Sequence, residues 1–192
     1  MNRLSHLRLL AEYNRWMNRS LLASAARLPA DAVSADRGAF FGSILGTLNH
    51  LAVGDTIWMK RFATHPACAA ALQPMNDVPM PARLDEILFP DLDALRDYRE
   101  WLDELIIRFV ASLGEDALDR PLAYISLLNG TRSVRNFHAL LIHFFNHQTH
   151  HRGQVTTLLF QAGIDPGVTD LLVLVPEEGV VQVGSLPGRE PG

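Results

Sequence analysis

Four stretches of this 192-residue chain repeat their apolar side chains every three to four positions, and that period narrows the possible folds more than any other feature. An α-helix brings residues i, i+3, i+4 and i+7 to one face, so such a stripe marks a helix with one side turned to a core. The first stretch runs from about Leu4 to Leu28, with Leu7, Leu10, Met17 and Leu21 in register and Pro29 ending it. The second covers about Phe40 to Ala63 and is carried by Ile44, Leu48, Leu51 and Trp58. The third covers about Asp91 to Leu113, with Leu95, Tyr98, Leu102, Leu105, Ile106 and Phe109 on one side. Asp91 or Asp93 is placed to cap it. The fourth covers about Val134 to Gly163, with Ser133 as its cap and Gly163 as its C-terminal stop.

The connections refine this. Four prolines fall between Pro66 and Pro81, and proline fixes φ and removes a backbone donor, so this stretch is a loop crossing the surface. Its length suits one long crossover between the second and third helices. Strand formers at Leu122–Leu128 followed by Asn129-Gly130 predict a small hairpin before the fourth helix. The expected architecture is therefore all-α, a four-helix bundle with one long crossover. The expected domain is residues 1–175, with 176–192 a C-terminal tail that is partly disordered and Leu171–Pro176 packing on the bundle.

A chain of this length with 48% hydrophobic residues can bury a core without disulfides or metal. Any metal therefore calls for a functional explanation. A net charge of -4 with dispersed basic residues argues against a nucleic-acid partner. Polar residues interrupt the N-terminal stretch, and no run of about 18 apolar residues follows, so neither a secretory signal nor a membrane span is expected. Cys68 is the single cysteine, which suits a cytoplasmic protein and a small apolar filler role.

Chemistry concentrates in the histidines. Five of eight lie between His138 and His151, in HALLIHFFNHQTHHRGQ. On a helix His143, His147 and His151 form one stripe, from which His150 points away by about 100°. An i, i+4 pair can place two imidazole nitrogens on one cation, and neutral imidazole suits zinc, nickel, copper and iron. Two ligands hold a metal weakly, so a third must come from elsewhere. His50 sits mid-helix in an otherwise apolar segment, and a buried imidazole needs a partner. By itself that leaves two readings of His50: a hydrogen-bonded core residue, or the third ligand. His143, among Ile142, Phe144 and Phe145, reads as a core histidine or as one that supports a ligand, while His6 and His65 read as solvent-facing. Gln148 after His147 excludes the zinc-protease motif, which needs Glu there.

These segments resemble the DinB family of metal-binding four-helix bundles. The resemblance rests on YNRWMN (Tyr13 to Asn18), SILGTLNHLAVGDTIWMKRF (Ser43 to Phe62), NHQTHHRGQVTTLL (Asn146 to Leu159) and AGIDPGVTDLL (Ala162 to Leu172). It implies up-down-down-up helix order and a three-histidine metal site, matched here by His50, His147 and His151. It also implies zinc or nickel, one ion per chain, and a homodimer. Arg152, Gly153 and Gln154 match the pattern too. Arg152 is expected to pair with an acid such as Asp55, and Gly153 to let another helix approach. Trp16 and Trp58 are expected in the core, where either could border the metal pocket. Because relatives include thiol-using transferases and an isomerase, the implied function is a metal-dependent enzyme, a thiol-dependent S-transferase. Its partner would be a small-molecule substrate such as a low-molecular-weight thiol. The alternative is a non-catalytic metal-binding protein linked to stress. No residue reads as a general base.

Overall fold

The computed structural model describes residues 2–127 and 130–179, and the fold is mostly helical with one small two-stranded sheet. Four helices are long: α1 (Arg3–Ala25), α3 (Ile44–Ala63), α4 (Leu92–Ser112) and α6 (Phe137–Gln161). Two short helices, α2 (Ala30–Ser34) and α5 (Glu115–Leu118), fill the connections. The start of α4 is capped as the sequence suggests, while α3 begins at Ile44, four residues later than expected, behind a Ser43 cap. Ser43 accepts from Gly46 N–H, and Asp91 accepts from Ala94 N–H at 2.8 Å. Gly163, at φ +81°, turns the chain out of α6.

The start of the fourth helix differs from expectation. Ser133 is not a cap. It and Val134 lie in strand β2 (Arg132–Asn136), which pairs antiparallel with β1 (Pro121–Ile125) so that Tyr124 faces Ser133 across the ladder. Pairing satisfies these backbone groups before a helix can, and Asn136 becomes the cap, accepting from Ala139 N–H at 2.9 Å. The hairpin is present, but its loop is longer than a two-residue turn: Ser126 N–H donates to the Thr131 carbonyl. Asn129 lies outside the described residues, as does the tail beyond Gly179.

The apolar stripes meet in two contiguous clusters. One gathers Leu7, Phe62, Leu102, Phe109 and Phe144, and the other gathers Met17, Leu21, Leu51, Leu95 and Val155. Partners along each pair of helices give their directions. Asn14 and Asn18 of α1 meet Asp103 of α4, and Arg3 meets Glu115 beyond its end, so α1 and α4 are antiparallel. His50 meets His151, while Trp58 meets His143, so α3 and α6 are antiparallel. Asp55 meets Arg99 and Phe62 meets Phe109, so α3 and α4 are parallel. The proline-rich stretch between them carries a 3-10 turn at Gln73–Asp77 and is pinned by Lys60, whose ammonium donates to the Met75 and Val78 carbonyls. Leu171 and Leu174 pack against the second cluster, as expected for that segment. No helix among the described residues is long and apolar enough to cross a membrane.

Candidate metal centre

The antiparallel pairing of α3 and α6 brings His50 opposite His147 and His151. The ring centroids of His50 and His151 lie 4.3 Å apart, those of His147 and His151 4.4 Å, and those of His50 and His147 5.2 Å. One ring nitrogen of each lies within 4.8 Å of the others, so the three could hold a divalent metal. His50 and His151 are buried, and His147 is half-buried.

Hydrogen bonds orient two of the rings. His50 Nδ1 lies 2.7 Å from the Leu84 carbonyl, which can only accept, so the proton sits on Nδ1 and the neutral ring presents a bare Nε2. His151 Nδ1 lies 2.8 Å from Gln154 Oε1, with the same consequence. The two Nε2 atoms are then 3.1 Å apart with a lone pair on each, so they cannot bond to one another. Two nitrogens each about 2.0–2.1 Å from one zinc at a tetrahedral angle lie about 3.3 Å apart, close to what is seen. Burial is the main cause that lowers all three histidines: His50 falls to about 4 and His147 to about 3, and His151 shifts the same way. All three are neutral at pH 7 and available as ligands.

Four residues that shape this cluster carry no signal that single-helix periodicity reveals. Phe41 stacks on the His50 ring at 3.8 Å and 16° and meets the edge of the His151 ring at 5.5 Å. Leu84, in the long crossover, supplies the acceptor for His50. Glu86 folds that crossover by accepting from Ala82 N–H at 2.7 Å. Gly54 faces His147: a Cβ there would come 2.9 Å from His147 Cε1, so only glycine leaves the ring its place.

Other expectations fare unevenly. Trp58 is 8% exposed and borders the cavity beside the histidines, while Trp16 packs on Tyr13 away from it. His143 is not a core histidine; it is exposed and borders the same cavity, edge-on to Trp58. His65 is buried, not solvent-facing, and stacks on Phe137 at 4.5 Å. Cys68 is buried, and burial raises its thiol to about 12, in keeping with a filler role. Gly153 lies against nothing that a Cβ would meet, so the close approach belongs to Gly54 instead.

Arg152 does not pair with Asp55. It donates to Asn14 Oδ1 and lies over the Tyr13 ring at 5.1 Å. Asp55 is taken instead by Arg99, at 2.6 Å, and by Gln148. Arg99 also reaches Asp103 at 3.0 Å, which in turn accepts from Asn14 and Asn18. The result is a buried polar knot to which all four long helices contribute. Desolvation raises Asp55 to about 7 against the pull of Arg99. For Arg99 the same desolvation is outweighed by Asp103 and Asp55, and it stays charged.

The sequence model of the DinB family matches residues 1–179. Protein DinB of Bacillus subtilis (strain 168) is 27% identical over 163 residues, covering 84% of this chain and 88% of that protein. No solved structure matches the chain with significance.

Proposed function

The chain belongs to the DinB family, and on that premise we propose that His50, His147 and His151 hold one divalent transition metal, zinc or nickel, as the working centre of a metal-dependent enzyme. One observation carries this reading: two bare Nε2 lone pairs face each other at 3.1 Å, each fixed by an acceptor behind its ring. A cation between them removes the repulsion, and acceptors on the far nitrogens are what oriented metal ligands usually have. The helix directions support an up-down-down-up four-helix bundle, and we read residues 1–175 as its domain.

Three neutral ligands leave a divalent ion its full charge and an open position, and there the ion would lower the pKa of a bound thiol or water. The chain's own residues supply the rest. Phe41 covers one side of the histidine cluster, and Trp58, Ile57 and Leu84 wall the cavity beside it. Among the described residues no carboxylate stands ready as a base, since Asp55 is committed to Arg99. Thiol transfer suits such a site, because a thiol activated in this way needs no protein nucleophile. The partner is then a small-molecule electrophile with a low-molecular-weight thiol. The assembled form is read as a homodimer. Phe137, Leu140, Leu141, Phe144 and Phe145 are all buried within one chain, so α6 leaves Phe160, 71% exposed, for a second copy.

The test has two stages. Protein purified without nickel resin should carry about one zinc or nickel ion per chain. His50→Ala, His147→Ala and His151→Ala should each lose most of it, whereas His150→Ala should keep it. Full occupancy in His147→Ala overturns the site. Metal-loaded protein should then consume cysteine, glutathione or bacillithiol with an epoxide or chlorinated electrophile, and His151→Ala should not. If metal binds but every thiol reacts only at the uncatalysed rate, and thiols leave the spectrum of the cobalt-substituted protein unchanged, a non-catalytic metal-binding protein is the better reading.

A further inference from the structure

Beside the histidine cluster lies a cavity of about 280 Å³, bordered by His50 and His147 on one side and by Trp58, Arg61, Tyr124 and His143 on the other. Its volume is at the small end of ligand pockets, which run to about 300–1,000 Å³. Among the described residues no aspartate or glutamate borders it. Arg61 also borders a second cavity, of about 370 Å³, which Lys60 and Met80 line as well. Arg61 and Tyr124 are thus shared by the two linings.

Arg61 is held in a way that suits a binding group. Its guanidinium carbon lies 4.7 Å from the Trp58 ring centre and 4.8 Å from that of Tyr124. Two aromatic faces fix the plane of the fork and strip much of its water. Burial is the leading cause that pulls its pKa below the ordinary arginine value. Its one acceptor among the described residues is the Ile125 carbonyl, reached by NH2 at 3.0 Å. Arg61 has no ion pair among the described residues, and unlike most of the arginines that also lack one it borders a cavity beside the histidines. A guanidinium has five N–H donors and favours a two-pronged grip on a carboxylate, so most of the fork is left for a guest.

We propose that Arg61 is the anion-recognition residue of this cavity and that the site takes a small carboxylate, its charged end on the Arg61 fork and its apolar body along Trp58 toward the histidines. The inference rests on the proposed metal site for its catalytic meaning only, because the carboxylate grip itself needs no metal. It gives the hairpin a role as well. Strand β1 carries Tyr124 and the Ile125 carbonyl, two of the three groups that hold Arg61 in place. The acid end of a co-substrate would be sorted there, away from the reacting end.

The test uses 3-phenylpropionate and its neutral amide as probes, titrated into full-length metal-loaded and chelated protein. The indole N–H of Trp58 and the Nε–H of Arg61 are followed by NMR. The carboxylate should bind about tenfold to a hundredfold more tightly than the amide in both preparations, the usual range for a hydrogen bond to a charged group. It should move the Arg61 resonance, and the amide should not. Arg61→Gln should abolish the difference while keeping the metal content, and Arg61→Lys should retain part of it. Equal affinities for acid and amide overturn the proposal. So does a preference that appears only with metal and survives Arg61→Gln, since the carboxylate would then sit on the metal. Should Arg61→Gln fail to fold, the Arg61 resonance of the unaltered protein decides between these outcomes. A chain that takes up no metal yet keeps an Arg61-dependent preference leaves this inference standing and removes the metal reading.

Discussion

Two groups of polar side chains cross between the helices, and they are satisfied in opposite ways. In the knot around Arg99, each charge answers another: Asp55 and Asp103 flank one guanidinium, Asn14 and Asn18 donate to Asp103, and Gln148 donates to Asp55. In the cluster around His50, the hydrogen bonds point outward to Leu84 and Gln154, and the inner nitrogens face one another with nothing to donate. The first arrangement pairs both carboxylates with one cation and explains itself as structure, although Arg99 Nε and Gln148 Oε1 are left without a hydrogen-bond partner. The second is complete only with a cation. Burial alone does not separate a site from a strut. Whether the inward-facing atoms are mutual donors and acceptors does.

The largest effect that can break this contrast comes from opening the knot. Asp55→Ala leaves Arg99 buried with half its partners, and removing one member of a buried ion pair costs about 3–5 kcal/mol. Urea denaturation should show that loss. His147→Ala in metal-free protein should stay within about 1 kcal/mol of the unaltered chain, since that half-buried ring has no bond to lose. If the two variants lose equal stability without metal, the histidines are struts too and the contrast collapses.

Next in size is the response to acid, in which the two regions carry opposite signs. The folded values for His50 and His147 lie at about 4 and about 3, below the ordinary 6.5 of an unfolded chain. As pH falls from about 6.5 toward 4, the unfolded chain takes up protons that the folded one refuses. Their contribution to stability is therefore present above 6.5 and lost through that window. Asp55 is raised, so its contribution is present below its unfolded value of 3.8 and is lost as pH rises toward 7. Denaturation of metal-free protein at several pH values should give a shallower acid-side loss in His147→Leu than in the unaltered chain. An unchanged slope would show that His147 titrates normally. It follows that metal should be retained well below pH 6.5, further than an exposed histidine site would allow.

How much of this was legible in the sequence depends on how far apart the partners lie. The stripes of α1, α3 and α4 are local, and Leu7, Leu51 and Phe109 are buried where a 3.6-residue period puts them. His147 and His151 share a face for the same local reason. His50 stands out as a polar residue in an apolar run, but only the antiparallel meeting of α3 and α6 settles which residues it faces. Arg99 shows the limit. Its neighbour Asp103 is four residues away on the same helix, but the burial of Arg99 makes sense only with Asp55, 44 residues earlier on another. The start of α6 failed similarly: Ser133 is a good cap in isolation, and strand pairing with Tyr124 overrides it. Phe41 and Leu84 act through a packed ring and a carbonyl, and neither leaves a mark in a one-dimensional pattern.

A smaller effect sharpens the boundary between fold and site at Gly54. Alanine there should help the helix by up to about 1 kcal/mol, because glycine is a poor helix former. Its Cβ would stand 2.9 Å from His147 Cε1 and force the ring aside. Metal–ligand distances tolerate only about 0.2 Å. Gly54→Ala should therefore melt no earlier than the unaltered protein when both are metal-free, yet bind zinc more weakly in competition with a chelator. Unchanged zinc affinity would mean that His147 can move without leaving the ion, or that it is not a ligand.

The smallest change in stability, and the finest test, lies at Gln154. Its Oε1 holds the Nδ1 proton of His151 and so decides which nitrogen of that ring is bare. Gln154 is half-exposed, and in Gln154→Leu water can replace the lost acceptor, so metal-free stability should change by no more than about 0.5 kcal/mol. The tautomer and the ring plane would be free to vary, and loss of such a supporting hydrogen bond typically costs 10- to 100-fold in metal affinity. His50 should be indifferent, because its own acceptor is the Leu84 carbonyl, which no side-chain change removes. Nitrogen-detected NMR of the metal-free variant should show His151 as a mixture of tautomers and His50 still protonated at Nδ1. If His151 keeps its Nδ1 proton and zinc binds as before, the outward hydrogen bonds are incidental, and the contrast between the charge-paired knot and the open histidine cluster loses the feature that defines it.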